Sequence, residues 1–227
     1  MALILNIDTA LEESIISLSR GENILSFIRG KEQKQNTALL HPSINKMLSD
    51  LKLSLGHLKA VAVVAGPGSY TGLRVGVAAA KGLCYALRLP LIAINSLELL
   101  TLNQLRIRHD QNALYCPMID ARRMEVYLSM YDSLLKEIIS PTASILSANS
   151  LSEFLEKGSV IFFGSGSAKF RDIVTSPNAV FEFDPLQPVT MSIMSFQKYR
   201  QKCFIDPIHF TPLYIKEFHT NNSPQTS

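Results

Sequence analysis

Two aspartates are the residues best placed to do chemistry in this sequence. Asp8, followed by Thr9, and Asp120 each come directly after an apolar run. In ATPases with two phosphate loops, such an aspartate organises Mg²⁺ or water, and glycines let backbone N–H groups reach the phosphates. Here the first loop reads Asp-Thr-Ala-Leu-Glu, and Arg122 and Arg123 follow the second aspartate. The loops therefore indicate a vestigial phosphate site without the glycines it needs. Anion binding by either arginine and simple loop capping by both aspartates stay open.

A second candidate for chemistry is the turn over residues 66–72, Gly-Pro-Gly-Ser-Tyr-Thr-Gly. The dinucleotide fingerprint needs its third glycine one residue earlier, and the P-loop needs a Gly-Lys-Ser/Thr ending that is absent. Pro67 also removes one backbone N–H that could hold a phosphate. The spacing favours a tight turn that lets a helix approach a sheet closely, and a phosphate cradle is the alternative.

The histidines and cysteines give no further site. His41 has no ligand-type residue four positions away, and the other histidines are scattered, so no metal site is predicted. The three cysteines are widely spaced and lack a Cys-x-x-Cys pair, which indicates buried thiols. We expect no catalytic residue, no metal and no cofactor. Three short basic clusters are interpreted as solvated faces: Arg106, Arg108 and His109; Arg122 and Arg123; Lys198, Arg200 and Lys202.

The elements that position these residues form a βαβ unit in the middle of the first half. A valine-rich run over residues 60–65 predicts a buried strand, residues 72–87 a helix, and residues 91–94 a second, parallel strand. Gly72, Gly76 and Ala80 recur every four residues and therefore share one helix face. Such a bare face lets another backbone come close, either the protein's own sheet or a partner's helix.

The same order of elements occurs twice along the chain. In each half a strand ending in aspartate is followed by an antiparallel pair, a helix, a buried strand, a glycine turn and a further helix, strand and helix. This internal duplication predicts an α/β fold of the actin/sugar-kinase/Hsp70 class, with two lobes, each a mixed sheet flanked by helices. We expect an N-terminal lobe over residues 1–106, a C-terminal lobe over residues 107–219, and a disordered tail over residues 220–227.

Composition agrees with an ordinary globular protein. The chain has 227 residues, 47% of them hydrophobic and 18% charged, with a net charge of +3. That charge permits contact with nucleic acid without requiring it. The N-terminus has no basic segment before its short apolar run, and no run approaches membrane-spanning length. We therefore expect a cytoplasmic protein without a membrane partner.

Five stretches together resemble the TsaB (YeaZ) family. They are Ala-Gly-Pro-Gly-Ser-Tyr-Thr-Gly-Leu-Arg-Val-Gly at residues 65–76, Ala-Ala-Lys-Gly-Leu at 79–83, Ile-Asp-Thr at 7–9, Ile-Asp-Ala-Arg-Arg-Met-Glu-Val-Tyr at 119–127, and Pro-Leu-Tyr-Ile at 212–215. They span nearly the whole chain, and the long glycine motif is the specific one.

This resemblance implies a non-catalytic subunit of the bacterial machinery that makes threonylcarbamoyladenosine beside the anticodon of tRNAs reading ANN codons. The family pairs with the catalytic subunit TsaD through its first lobe, is joined by the ATPase TsaE, reaches tRNA through the complex and can pair with itself. The implied partner surface is formed by the helices over residues 40–52 and 72–87. Its candidate contact residues are Leu40, His41, Ile44, Met47 and Leu48.

Two other functions stay open beside this scaffold. The surviving Asp8 and Asp120 motivate a nucleotide-dependent transferase, and four arginines motivate a tRNA-binding module: Arg106, Arg108, Arg122 and Arg123. For the scaffold, we expect Gly76→Leu or Ala80→Arg to abolish pairing with TsaD while leaving the monomer folded.

Overall fold

The fold consists of two five-stranded sheets. In the computed structural model, residues 1–30 and 33–216 are described, and of residues 33–39 only the backbone. The first sheet has the order β3-β2-β1-β4-β5 and the second β10-β9-β6-β7-β8. The strands of the first sheet are β1 Leu3–Asp8, β2 Ser14–Arg20, β3 Asn23–Gly30, β4 Ala60–Gly66 and β5 Leu91–Asn95. Those of the second are β6 Leu114–Asp120, β7 Glu125–Tyr131, β8 Glu137–Ile145, β9 Val160–Phe163 and β10 Ala179–Phe181.

Strand pairing repeats between the halves. β1 pairs antiparallel with β2 and parallel with β4, and β6 pairs antiparallel with β7 and parallel with β9. In each sheet the parallel pairing continues to one edge, to β5 in the first and to β10 in the second. The predicted duplicated fold with two mixed sheets is therefore confirmed.

Six α-helices connect these strands in the described residues: α1 Gln33–Asp50, α2 Tyr70–Leu87, α3 Ser96–Ile107, α4 Ser152–Leu155, α5 Ser167–Arg171 and α6 Pro188–Arg200. Helix α1 begins at Gln33, well before the start at residue 40 that the sequence predicts, and Pro42 lies inside it. Strand β8 continues through Pro141 to Ile145. None of the described helices is long and apolar enough to cross a membrane.

Each sheet has an outer face covered by helices of its own half. On the first sheet, Leu5 and Val63 pack with Ile44 of α1 and Val77 of α2. On the second sheet, α4 and α5 contribute Leu155 and Phe170 to a cluster with strands β6, β7 and β9.

The inner faces are covered by helices that cross between the sheets. Helix α6, from the second half, packs on the first sheet, where Met191 and Met194 join Ile4 and Ile92. Helix α3, from the first half, contacts β6 and β7, where its Leu97 joins the second sheet's inner cluster. The two crossing helices also touch each other. Each half's last helix therefore buries part of the other half's sheet.

Candidate functional site

The first vestigial loop and the glycine turn interlock. The Thr9 hydroxyl donates to the Gly72 carbonyl at 2.7 Å, and the Ser69 N–H donates to the Ala10 carbonyl at 2.8 Å. A Cβ at Gly72 would lie 1.8 Å from the Thr9 carbonyl oxygen, and one at Gly68 would lie 2.5 Å from that of Ala10. The glycines of this turn therefore serve the close approach of the chain's own loop.

Asp8 caps that loop from inside the protein. Its Oδ1 accepts the N–H groups of Ala10 at 3.0 Å and Leu11 at 3.3 Å, and its side chain is fully buried. Burial raises the pKa of Asp8 to about 7, against the lowering effect of the two backbone hydrogen bonds. Near neutral pH this carboxyl group is therefore divided between its protonated and charged forms.

Asp120 lies in the equivalent loop of the second lobe and is more exposed. Its Oδ1 accepts the Arg122 N–H at 2.5 Å and the Lys169 ammonium at 2.7 Å. Partial burial opposes these contacts, but together they lower the pKa of Asp120. Arg122 and Arg123 have φ angles of 71° and 48°. This left-handed region is the one that glycine adopts without steric cost, so arginines stand here in a backbone conformation suited to glycine.

The second glycine turn is packed against its own strand ends in the same way as the first. The Gly166 N–H donates to the Met118 carbonyl at 2.9 Å. A Cβ at Gly164 would lie 2.5 Å from the Met118 oxygen, and one at Gly166 would lie 2.7 Å from Val126 Cγ1. In both lobes, the glycine turn is therefore held closely by the chain itself.

The remaining chemistry-bearing residues do not converge. Within residues 1–30 and 33–216, no three histidine, cysteine, aspartate or glutamate side chains form a cluster that could hold a metal ion. Among the predicted basic clusters, Arg108 pairs with Glu182, and Lys198 lies 3.5 Å from Glu98.

A C-terminal segment, residues 212–216, joins the two lobes beside these loops. The Leu213 N–H donates to the Ala65 carbonyl at 2.8 Å, and the Lys216 ammonium lies 2.6 Å from the Glu125 carboxylate. Between them, the Tyr214 ring lies 5.3 Å from that of Tyr70, centroid to centroid. Residue types gave no signal for this arrangement, and the Pro-Leu-Tyr-Ile stretch stood out only through the family resemblance.

The predicted partner-contact residues of α1 divide into one exposed and four buried side chains. His41 is exposed. The four apolar ones belong to the outer-face core of the first sheet, with exposures of 1% to 3%: Leu40, Ile44, Met47 and Leu48. In this conformation these four side chains present little surface to a partner. Whether this helix forms a pairing surface stays a prediction, and its contacts would be made by the exposed neighbours.

Helix α2 has two faces of small residues with different environments. A Cβ at Gly76 would lie 2.3 Å from the Thr9 hydroxyl oxygen, and Ala80 is fully buried. The expectation that Gly76→Leu or Ala80→Arg leaves the monomer folded is therefore wrong, because this face packs on the protein's own sheet. On the opposite face, a Cβ at Gly82 would have nothing within 4 Å.

That outer face of α2 forms a shallow groove with α1. Its volume is about 470 Å³, and its lining is apolar except for one imidazole. The lining residues are Leu40, His41, Val75, Ala78, Ala79, Gly82 and Leu83.

Comparisons with known proteins agree on one family. A family model described as "TsaD: tRNA N6-adenosine threonylcarbamoyltransferase" matches residues 31–201. The chain is 32% identical over 175 residues to the "tRNA threonylcarbamoyladenosine biosynthesis protein TsaB" of Bacillus subtilis, covering 75% of this chain and 74% of that one. It is 27% identical to the Haemophilus influenzae protein of the same name, covering 94% and 93%. This structure superposes with a TM-score of 0.79 on a crystal structure from Pseudomonas aeruginosa, described as an uncharacterized protein with similarity to peptidase YeaZ. The two sequences are 21% identical, and the match covers 95% of this chain and all of that one.

Proposed function

Because the chain belongs to the TsaB family of tRNA threonylcarbamoyladenosine biosynthesis proteins, we propose that it is a non-catalytic scaffold subunit. It pairs with the transferase TsaD, is joined by the ATPase TsaE, and supports threonylcarbamoyl transfer to the anticodon-adjacent adenosine of tRNA. The observation that carries this proposal is the interlocking of the vestigial loop over residues 8–12 with the glycine turn over residues 66–72.

The interlocked loops support a non-catalytic role on steric grounds. A phosphate bound at a glycine turn needs free backbone N–H groups and room for its oxygens. Here the Ser69 N–H is taken by Ala10, and even a single methyl group at Gly72 would collide with the Thr9 carbonyl. In the second lobe, the Lys169 ammonium forms an ion pair with the Asp120 carboxylate. Phosphate binding would first require both lobes to open these contacts.

The pairing surface we propose is the exposed side of α1 and α2. A family model of the transferase matches residues 31–201 of this chain, so we expect the transferase to have an equivalent pair of helices. Chains of one fold can pair through equivalent surfaces about a twofold axis, as two identical copies do. Gly82 supports this surface, because a glycine inside a helix costs about 1 kcal/mol relative to alanine, and no contact within the described chain requires it.

The test is co-elution with TsaD in size-exclusion chromatography. We expect Gly82→Arg to abolish co-elution, because the added side chain fills the groove between the helices. Gly158→Arg is the matched control, since a Cβ at Gly158 also has nothing within 4 Å but lies in the other lobe. Neither variant should melt at a lower temperature than the wild type.

Two outcomes would refute different parts of this proposal. Co-elution of Gly82→Arg as full as that of the control variant would refute the proposed pairing surface. Micromolar binding of Mg²⁺-ATP by the isolated chain in calorimetric titration would refute the non-catalytic scaffold and favour the transferase alternative. Self-association through the same surface is measured with the same two variants without TsaD.

A further inference from the structure

Two stretches far apart in the sequence meet in a cluster at the start of α2, outside the lining of the groove between α1 and α2. The Tyr70 and Tyr214 rings lie 5.3 Å apart with an interplanar angle of 42°, and their residues are 38% and 42% exposed. The Arg74 guanidinium lies 5.4 Å from the centre of the Tyr70 ring, and it donates to the Tyr70 hydroxyl at 3.2 Å. Two partly exposed aromatic rings, tilted against each other and flanked by a guanidinium, form an aromatic and positively charged surface.

Positive charge continues from this cluster towards the second lobe. Lys216, two residues after Tyr214, pairs with Glu125, whose N–H donates to the Arg122 carbonyl at 3.1 Å. Arg122 and Arg123 are both exposed in that turn. The carboxylates of Glu125 and Asp120 are already paired with lysines, so these two groups do not neutralise Arg122 and Arg123.

This combination matches the chemistry of unpaired RNA. Bases of any sequence stack on aromatic side chains and on guanidinium planes, while arginines and lysines follow the phosphates. A docking helix or strand would instead be expected to use an apolar groove or a free strand edge, and this cluster is aromatic and cationic.

We propose that Tyr70 and Tyr214 form a stacking platform for an unpaired base of RNA, with Arg74, Arg122 and Arg123 contacting the neighbouring phosphates. The inference rests on the proposed function in one respect, since a tRNA-modifying complex supplies the RNA, whose anticodon loop has unpaired bases. It assigns this chain a direct contact with the substrate, in addition to its role as a scaffold.

The test is a fluorescence-anisotropy titration of this chain alone with a labelled, unmodified anticodon stem-loop RNA. Loss of stacking in Tyr214→Ala should weaken binding roughly 5- to 150-fold, whereas Tyr214→Phe should retain it. Arg74→Ala should reduce the slope of affinity against salt concentration by about one. Tyr85→Ala is the matched control, because Tyr85 is a 75% exposed tyrosine on the same helix outside the platform.

Several results would overturn the proposal. They are the absence of measurable RNA binding at low salt, wild-type affinity in Tyr214→Ala, and an equal loss in Tyr85→Ala. A loss of TsaD co-elution in Tyr214→Ala with unchanged RNA affinity would identify the platform as a protein contact instead. Thermal melting checks that each variant is folded. Because RNA binding is measured without TsaD, a failure here leaves the pairing test with Gly82→Arg unaffected.

Discussion

Alanine is expected to have opposite effects at two glycines of helix α2. At Gly72 the added Cβ would lie 1.8 Å from the Thr9 carbonyl oxygen, about 1.2 Å short of the 3.0 Å that real Cβ contacts keep. Both sides of this contact are backbone, so the loop and the helix must move apart. At Gly82 the added Cβ would meet nothing within 4 Å.

The magnitudes follow from these environments. Overpacking costs about 1–3 kcal/mol, and separating the loop from the helix also weakens the Thr9–Gly72 hydrogen bond, worth about 1 kcal/mol. Even after a gain in helix propensity of up to about 1 kcal/mol, Gly72→Ala should lower the free energy of unfolding by about 1–3 kcal/mol. Gly82→Ala keeps the gain alone and should raise that free energy by about 0.5–1 kcal/mol.

Urea unfolding followed by far-UV circular dichroism measures both effects. Protein concentration must be held constant, because self-association would raise the apparent stability. In thermal melts, each kcal/mol should shift Tm by roughly 2–4 °C for a chain of this size. Wild-type stability in Gly72→Ala would refute the interlocked loops, on which the non-catalytic proposal depends. Destabilisation by Gly82→Ala would reveal an intramolecular contact and remove the argument for an open pairing face.

Two further predictions concern buried polar side chains. Burial holds the pKa of folded Asp8 at about 7, above its ordinary value of 3.8, so the folded chain keeps a proton that the unfolded chain releases between these pH values. The free energy of unfolding should therefore fall as pH rises from about 4 to 7 and then level off. Urea unfolding across this range should show a weaker pH dependence for Asp8→Asn than for the wild type. An equal dependence of the free energy of unfolding on pH in both proteins would contradict the raised pKa of Asp8. Asn103 Oδ1 accepts the Gln187 N–H and the Thr190 hydroxyl, each at 2.9 Å, so Asn103→Ala should cost about 2–4 kcal/mol by leaving the buried Thr190 hydroxyl and the partly buried Gln187 N–H unpaired. A loss below about 1 kcal/mol in urea unfolding would refute this explanation.

The sequence predicted the strands well because most are short buried runs ended by turn residues. It failed where local signals were weak. Helix α1 begins at Gln33 in a polar stretch without apolar periodicity, so the sequence predicts its start only at residue 40. Strand β8 runs through Pro141, which is tolerated because β8 lies at the edge of its sheet.

The candidate site could be predicted only in part, because its contacts join distant residues. Loss of glycine after Asp8 and Asp120 was visible in the sequence. That Thr9 fills the space beside Gly72 was not, since the two residues are 63 positions apart. Periodicity placed Gly72, Gly76 and Ala80 on one face of α2, but it could not say whether a sheet or a partner covers that face. Gly82 lies outside that pattern, and it is the glycine of α2 at which an added Cβ would have no contact.

Helix α6 packs on the first sheet and helix α3 contacts the second, so each repeat depends on the other for part of its core. If the chain were cut between them, the first fragment would lose the helix that carries Met191 and Met194 and leave Ile4 and Ile92 open to water, and the second would lose Leu97. We therefore expect neither piece to be stable in isolation, because each would leave part of its apolar core in contact with water.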